Sequence, residues 1–462
     1  MRFGFRDRAS TWVLLLFYSC DDSYISEKGE NMRRVILDKG EVFSNKHLQR
    51  KSAFNAKALA AATSIVEDVR NRGDEAVREY TSKFDGVDLE QFRVSQEDID
   101  AAVAQCPAEL SVALEHAAAQ IREFHERQLQ QSWFESRPNG AIVGAMVRPI
   151  DSVGIYVPGG RALYPSTLLM NAIPASVAGV SRIAVVNPPT KDGSLDPAVL
   201  KAAELSGVTE IYRIGGAQAV AALAYGTEQI PAVDKITGPG NAFVAAAKKL
   251  VSGDVGIDMI AGPSEVCVVA DETADPKLVA IDLMAQAEHD PLASCYLVTF
   301  SAEYADAVEA AVVEHMKEST RADITTASLD NEGLVVICES REQAIQAVNV
   351  IAPEHLELHI ANPQAALGQI RHAGAIFMGE WTPEAVGDYV AGPNHTLPTG
   401  GTARFSSPLS VDEFVKKSSI IEYSPEALAQ DADAVIAIAK REGLWAHAHS
   451  VELRKEILEG GE

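Results

Sequence analysis

The chain has 462 residues, of which 47% are apolar, 23% charged and 6% aromatic, enough for two or three domains with real cores and too apolar for wholesale disorder. Its formal net charge of −25 counts against nucleic-acid binding, because such a chain repels a phosphate backbone. No apolar run reaches the ~20 residues that span a bilayer, and five scattered cysteines (Cys20, Cys106, Cys267, Cys295 and Cys338) fit a reducing compartment and give no zinc-ribbon signal.

Residues 1–31 stand apart. Arg2, Arg6 and Arg8 precede a short apolar stretch over 12–18, followed by Ser19 and Cys20. These are ingredients of a signal peptide, but the stretch is at the lower limit of length and no Ala-x-Ala site follows. An extension with little order is the favoured reading, with Met32 a sensible start for a folded, cytoplasmic chain. Residues 32–51 then form an N-terminal arm. Residues 51–135 read as helical, since Ala56, Ala60, Ile65 and Val69, then Leu110, Leu114, Ala118 and Ile121, recur near the helical period. The stretch around Phe92 is a connector.

From Ile150 the rhythm changes. Strands over 153–157, 183–186, 210–214 and 235–237 end in turns, among them Pro158-Gly159-Gly160, Gly215-Gly216 and Gly238-Pro239-Gly240-Asn241. Helices over 166–177, 197–205, 217–225 and 242–251 lie between and after them. The pattern repeats with a strand over 265–270, a helix over 276–289, a strand over 295–300 and a helix over 302–317. Strands over 333–338, 356–360 and 375–378 follow. Asp275 before Pro276 is a good N-cap with proline at the first helical position. Alternation at roughly 25–30 residues is the βαβ signature of parallel sheets. The fold predicted is α/β, with two Rossmann-like parallel-sheet domains between a helical N-terminal arm and a helical C-terminal tail. Ligands of such sheets bind beyond the carboxyl ends of the strands, where the glycine turns sit. The tail, 412–461, breaks near Gly443 and is too short for a core of its own.

Few of these turns carry a complete motif. Gly238-Pro239-Gly240 opens a helix as a phosphate cradle does, but Phe243 stands where a dinucleotide fingerprint needs its third glycine. Gln286 and His289 share a helix face. With Asp388, in a loop rich in glycine and proline, and His447 on the tail, they make a zinc-competent donor set, although a glutamine ligand is unusual. On pattern alone each histidine reads more readily as a surface or capping residue. Glu354-His355, after a proline break, can divide proton-transfer duties, or be neighbours by chance. His395 reads as a loop histidine bonded to its own backbone, and Ser264 as a local cap.

Taken together, the segments are similar to histidinol dehydrogenases over about 33–453. The blocks that carry the resemblance are Ile155-Tyr156-Val157-Pro158-Gly159-Gly160, Gly215-Gly216-Ala217-Gln218-Ala219, Gly238-Pro239-Gly240-Asn241-Ala242-Phe243-Val244, Ala261-Gly262-Pro263-Ser264-Glu265, Gln286-Ala287-Glu288-His289, Ala352-Pro353-Glu354-His355-Leu356, Gly387-Asp388-Tyr389 with Gly392-Pro393-Asn394-His395, Thr402-Ala403-Arg404-Phe405-Ser406, and Glu442-Gly443-Leu444 with His447. The resemblance implies zinc- and NAD-dependent oxidation of L-histidinol through L-histidinal to L-histidine, the last step of histidine biosynthesis. It implies one zinc per subunit on Gln286, His289, Asp388 and His447, the last reaching the other subunit of a homodimer with shared sites. Tyr156, Gln218 and Asn241 would contact NAD. Ser264, Gln286, His289, His355, Asp388, His395, Glu442 and His447 would contact substrate, with Glu354 and His355 the acid–base pair. The expected division groups 52–155 with 264–409 as one α/β domain, 156–263 as the NAD-contacting one, and 410–462 as the tail toward the partner. Rival readings are a relative acting on another small alcohol such as a sulfonated diol, a zinc hydrolase without NAD, and an inactive metal-stabilised scaffold.

Overall fold

Two parallel sheets take up the buried apolar runs, and both are wound in the same order. The structure, a computed structural model, describes residues 32–48, 50, 56–159, 164–208 and 210–460, so the expectation for 1–31 and the Gly160 turn position lie outside the described residues. The strands of the five-stranded sheet lie in the order Glu210–Tyr212, Arg182–Val186, Ser152–Tyr156, Lys235–Thr237 and Gly256–Ile257. Those of the six-stranded sheet lie in the order Arg33–Ile36, Leu334–Ile337, Ser294–Thr299, Glu265–Ala270, His355–His359 and Ala375–Met378. Apart from the edge strand Arg33–Ile36, each sheet starts at a central strand, winds outward to one side and then crosses back to the other. The reversal falls between Ser152–Tyr156 and Lys235–Thr237 in one sheet, and between Glu265–Ala270 and His355–His359 in the other. This is the α/β architecture expected from the strand–turn–helix rhythm.

Alternation along each strand divides the cores. Val153, Ile155 and Val185 face one side of the five-stranded sheet, while Tyr156, Ala184 and Val186 face the other. In the six-stranded sheet Val266, Val268 and Ala270 pack under the helix Pro276–Ala287, and Cys267, Val269, Leu356 and Leu358 pack on the opposite face. The Asp275 carboxylate caps that helix by accepting the Lys277 N–H at 2.9 Å.

Three parts depart from the sequence reading. The helices Ala56–Arg72, Asp74–Asp85, Gln96–Val103 and Ala108–Glu126 pack on the five-stranded sheet, through residues such as Val69, Val77, Ile99 and Ile121, rather than with 264–409. An amphipathic helix carries no mark of which sheet it will cover. Helix also gives way to strand at Trp133–Ser136, and the tail opens with the strand Val415–Glu422. Both pair antiparallel with Ile142–Pro149 in a three-stranded sheet. All of Trp133–Ser136 and most of Val415–Glu422 are exposed, so neither shows the apolar alternation of a half-buried strand. Among its described residues, the arm before Ala56 contributes the edge strand Arg33–Ile36 and a single-turn 3-10 helix, Asn45–His47. Helices Pro425–Arg441 and Trp445–Gly460 follow, broken as expected at Gly443, whose φ is +75°.

Two local constraints are open to test. Gly238 has φ +105°, and a β-carbon there would lie 2.1 Å from the Tyr156 carbonyl oxygen. Gly238→Ala should therefore cost roughly 3 kcal/mol or more of stability, read from the denaturant midpoint. His125 is buried between the Ile121 carbonyl, 2.7 Å from Nδ1, and the Asn394 amide, 3.3 Å from Nε2. Burial lowers its pKa, so its stabilising contribution is complete above its unfolded value and is lost as the pH falls through the folded one. Stability should drop from about pH 7.5 to about pH 5.5, and the drop should be shallower in His125→Asn.

Candidate functional site

The proline break before Glu354 does local work. The helix Arg341–Ile351 ends at Ala352, with φ +44°, and Pro353 prevents its continuation. Glu354 and His355 thus arrive at the start of the strand His355–His359, both buried. Glu354 Oε2 accepts the Glu265 N–H at 2.9 Å. His355 Nδ1 lies 3.2 Å from the Glu265 carbonyl and 3.0 Å from the Gln286 amide group. A carbonyl only accepts, so the tautomer that bonds it carries the proton on Nδ1 and the lone pair on Nε2. That Nε2 is buried without a hydrogen-bond partner, and Asp388 Oδ1 faces it at 3.8 Å.

The helix Pro276–Ala287 runs back against the strands and ends at their amino edge, where it delivers Gln286 and then His289. Ligand atoms of His289, Glu384 and Asp388 all lie within 4.8 Å of one another. Asp388 is not in a loop but in the short helix Glu384–Tyr389, four residues after Glu384, so the two acids share a face. Glu384 is the residue the sequence reading missed, although that four-residue spacing to Asp388 was its visible signal. His395 bonds not its own backbone but the Asp388 carbonyl, 2.9 Å from Nδ1, and its Nε2 lies 3.4 Å from Thr167 Oγ1. Ser264 precedes Glu265 at the same edge, and its carbonyl accepts the Ser294 N–H at 2.9 Å. The cluster therefore gathers Gln286, His289, Glu354, His355, Asp388 and His395 at the amino ends of the two reversal strands. This cluster lies away from the carboxyl ends of its sheet, because the crossing helix and the loops after the strands return their donors to the other edge.

Within a single chain, Glu442 and His447 are not part of this group. They lie exposed at the junction of the C-terminal helices Pro425–Arg441 and Trp445–Gly460.

Acidic groups dominate the cluster. Burial raises the pKa of Glu354 and of Glu384 well above the usual carboxylate range, and neighbouring carboxylates add to it. Glu265 is pushed up to about 7 by burial, against the pull of Arg50, whose Nε lies 3.6 Å from its carboxylate. Burial lowers the pKa of His355 and of His395. Buried carboxyl groups with so little positive charge among them are a setting that a divalent cation would relieve.

A second group lies beyond the carboxyl ends of the five-stranded sheet, at its reversal point. The Tyr156 hydroxyl accepts the Gly216 N–H at 3.1 Å. Gln218, one turn into the helix Gly216–Tyr225, is buried with neither amide atom bonded. Asn241 caps the helix Ala242–Val251 by accepting the Phe243 and Val244 N–H groups at 3.0 and 3.2 Å. The turn between is clamped by a buried ion pair. Lys248 Nζ donates to the Gly238 carbonyl at 2.8 Å and pairs with Asp258, which accepts the Gly238 N–H at 2.8 Å. None of the helices among the described residues is long and apolar enough to cross a membrane.

Comparison with known proteins gives one consistent relationship. A family model described as histidinol dehydrogenase matches residues 48–455. A histidinol dehydrogenase of Geobacillus kaustophilus is 55% identical over 396 residues, covering 86% of this chain and 93% of its own. One of Clostridium acetobutylicum is 50% identical over 428 residues, covering 92% and 99%. Among solved structures, the crystal structure of histidinol dehydrogenase from Elizabethkingia anophelis superposes with a TM-score of 0.88 at 37% identity, covering 93% of this chain and 99% of that one.

Proposed function

The chain belongs to the histidinol dehydrogenase family of oxidoreductases, and from that premise we propose that it oxidises L-histidinol through L-histidinal to L-histidine with NAD and one zinc ion per subunit. The observation that carries the reading is His355 Nε2, a buried and unpartnered base facing a group of metal-competent donors.

The donor chemistry fits zinc, which takes imidazole nitrogen and carboxylate or amide oxygen. Gln286, His289 and Asp388 would hold it together with His447 of the partner subunit, and Glu384 lies within reach of the same position. When bound, zinc supplies a fixed positive template for the amino and imidazole nitrogens of the substrate. The unbonded amide of Gln218, beside Tyr156 and Asn241 at the reversal point, fits a nucleotide ligand, and NAD bound there supplies the hydride acceptor.

The work of the chain's own residues follows from their positions. His355 Nε2 takes the hydroxyl proton as the alcohol is oxidised, while the Glu265 carbonyl and the Gln286 amide beside Nδ1 orient the ring. The second oxidation needs water added to the aldehyde. Glu354, buried beside His355 with its carboxylate held by the Glu265 N–H, would take a proton from that water in its ionised form. Ser264 and His395 flank the same edge and would contact substrate, as would Glu442, which lies on the same C-terminal helical pair as His447.

Exposed apolar surface supports the homodimer. Trp445 and Ile457 are each 72% exposed on the C-terminal helices, and Ile438 is exposed beside them. Burying these against a second copy removes them from water and carries the tail toward a neighbouring site. The described cysteines are all free thiols, which fits a cytoplasmic location.

Purified protein given histidinol and NAD should form two NADH per histidine, lose activity to a chelator and regain it with zinc. Cleavage of esters or amides without NADH formation would overturn the reading. His355→Asn should lower kcat by roughly 10²–10⁴-fold, with little change in the KM for NAD. Mixed dimers of His447→Asn and His355→Asn chains, each inactive alone, should recover up to half of the wild-type activity. No recovery in verified mixed dimers would rule out the shared site.

A further inference from the structure

The strand that starts at His355 carries an acid–base residue at every second position. His355, Glu357 and His359 point to the face covered by the helix Pro276–Ala287, while Leu356 and Leu358 enter the opposite core. The covering helix answers with Asp282 and Gln286, four residues apart on one face. The two periodicities build a polar ladder inward from the edge of the sheet. Gln286 meets His355 at the edge, at 3.0 Å. Deeper in, His359 Nε2 lies 3.2 Å from Glu357 Oε2 and 3.4 Å from Asp282 Oδ2. Asp282, Glu357 and His359 are all buried between the strand and its covering helix, a space that apolar residues would fill at lower cost.

Glu357 faces two ways. Its Oε1 accepts the backbone N–H of Glu384 at 2.8 Å. Glu384 opens the short helix Glu384–Tyr389, whose N-cap, Pro383, has no side-chain donor or acceptor to cap it. A carboxylate at that point also suits the positive end of the helix. The same helix presents Asp388 to His355 Nε2. Glu357 thus ties the strand that carries the proposed base to the helix that carries two of the metal-competent acids.

We propose that Asp282, Glu357 and His359 form a positioning layer in which Glu357, braced by His359 and Asp282, holds the start of the helix Glu384–Tyr389 and so places Glu384 and Asp388 against His355 and His289. The layer supplies its own charge balance. Burial alone would lower the pKa of His359, but the hydrogen bond its ring donates to Glu357 and the charges of Glu357 and Asp282 outweigh it. Burial, with the nearby Glu357 charge, pushes Asp282 up to about 7. None of the three needs to touch substrate. This inference rests on reading His289, Glu384 and Asp388 as part of the zinc centre.

The test compares Glu357→Ala with Glu357→Gln in the full chain, because glutamine keeps an acceptor oxygen for the Glu384 N–H. In metal-free protein, Glu357→Ala should speed amide hydrogen exchange over 384–389 by at least about tenfold, leaving the five-stranded sheet unchanged. Zinc affinity by chelator competition and kcat should each fall by about 10–100-fold while the KM for NAD stays constant. Glu357→Gln should recover most of each loss. Wild-type exchange and zinc affinity in Glu357→Ala, with only a lower Tm, would overturn the proposal and leave a merely structural role. It would equally fail if Glu357→Gln were as impaired as Glu357→Ala, or if the wild type bound a second zinc per subunit that Glu357→Ala lost, since the triad would then be a metal site. Should Glu357→Ala not fold, His359→Asn is read in the same way, with the same direction of effect. A wild-type chain that binds no zinc would sink the zinc reading alone, because the exchange measurement on metal-free protein still reports on positioning.

Discussion

The parallel pairing of Glu265–Ala270 with His355–His359 is the contact on which the site depends. In that register His355 lies beside Val266, which brings both backbone groups of Glu265 to the Glu354-His355 corner. Its N–H meets the Glu354 carboxylate and its carbonyl meets the His355 ring. A slip of one residue would turn His355, Glu357 and His359 into the opposite core and bring Leu356 and Leu358 under the covering helix. The apolar demand of two cores therefore fixes where the His355 ring points, and the polar cluster borrows its precision from packing.

The two sheets share a winding order but put it to different use. In the five-stranded sheet the residues proposed for NAD gather at the carboxyl ends of the reversal strands, where parallel sheets ordinarily open a crevice. In the six-stranded sheet the polar cluster gathers at the amino ends. What differs is which side chains the loops return. Gln286 and His289 come at the end of a crossing helix, and Asp388 and His395 come from the segments that follow the last strand. Fold alone does not place a site, and two copies of one topology can serve opposite edges.

The sheets were legible because their strands are short apolar runs closed by glycine or proline turns, as at Gly215-Gly216 and Gly238-Pro239-Gly240. The three-stranded sheet was not, because Trp133–Ser136 shows water all its side chains. Of the polar cluster, Gln286, His289, Glu354, His355 and Asp388 were legible as blocks of a family resemblance, not as a spacing motif. Glu384 and the Glu357–His359 pair were overlooked. Polar residues alternating with leucine ordinarily mark a strand with one wet face, and only the helix laid over that face turns the pattern into a buried network. Glu442 and His447 lie outside the cluster of a single chain, exposed at the junction of the two C-terminal helices, where no spacing motif ties them to it.

Ala352 carries a consequence of its own. Its φ of +44° is a left-handed conformation that costs an alanine about 1 kcal/mol, and glycine would adopt it freely. Here a β-carbon stiffens the joint that aims Glu354, and a more relaxed residue would let that joint swing. Glycine would relieve that strain but would give up a buried methyl group and loosen the unfolded chain, so the alanine keeps the joint before Glu354 stiff at little net cost in stability.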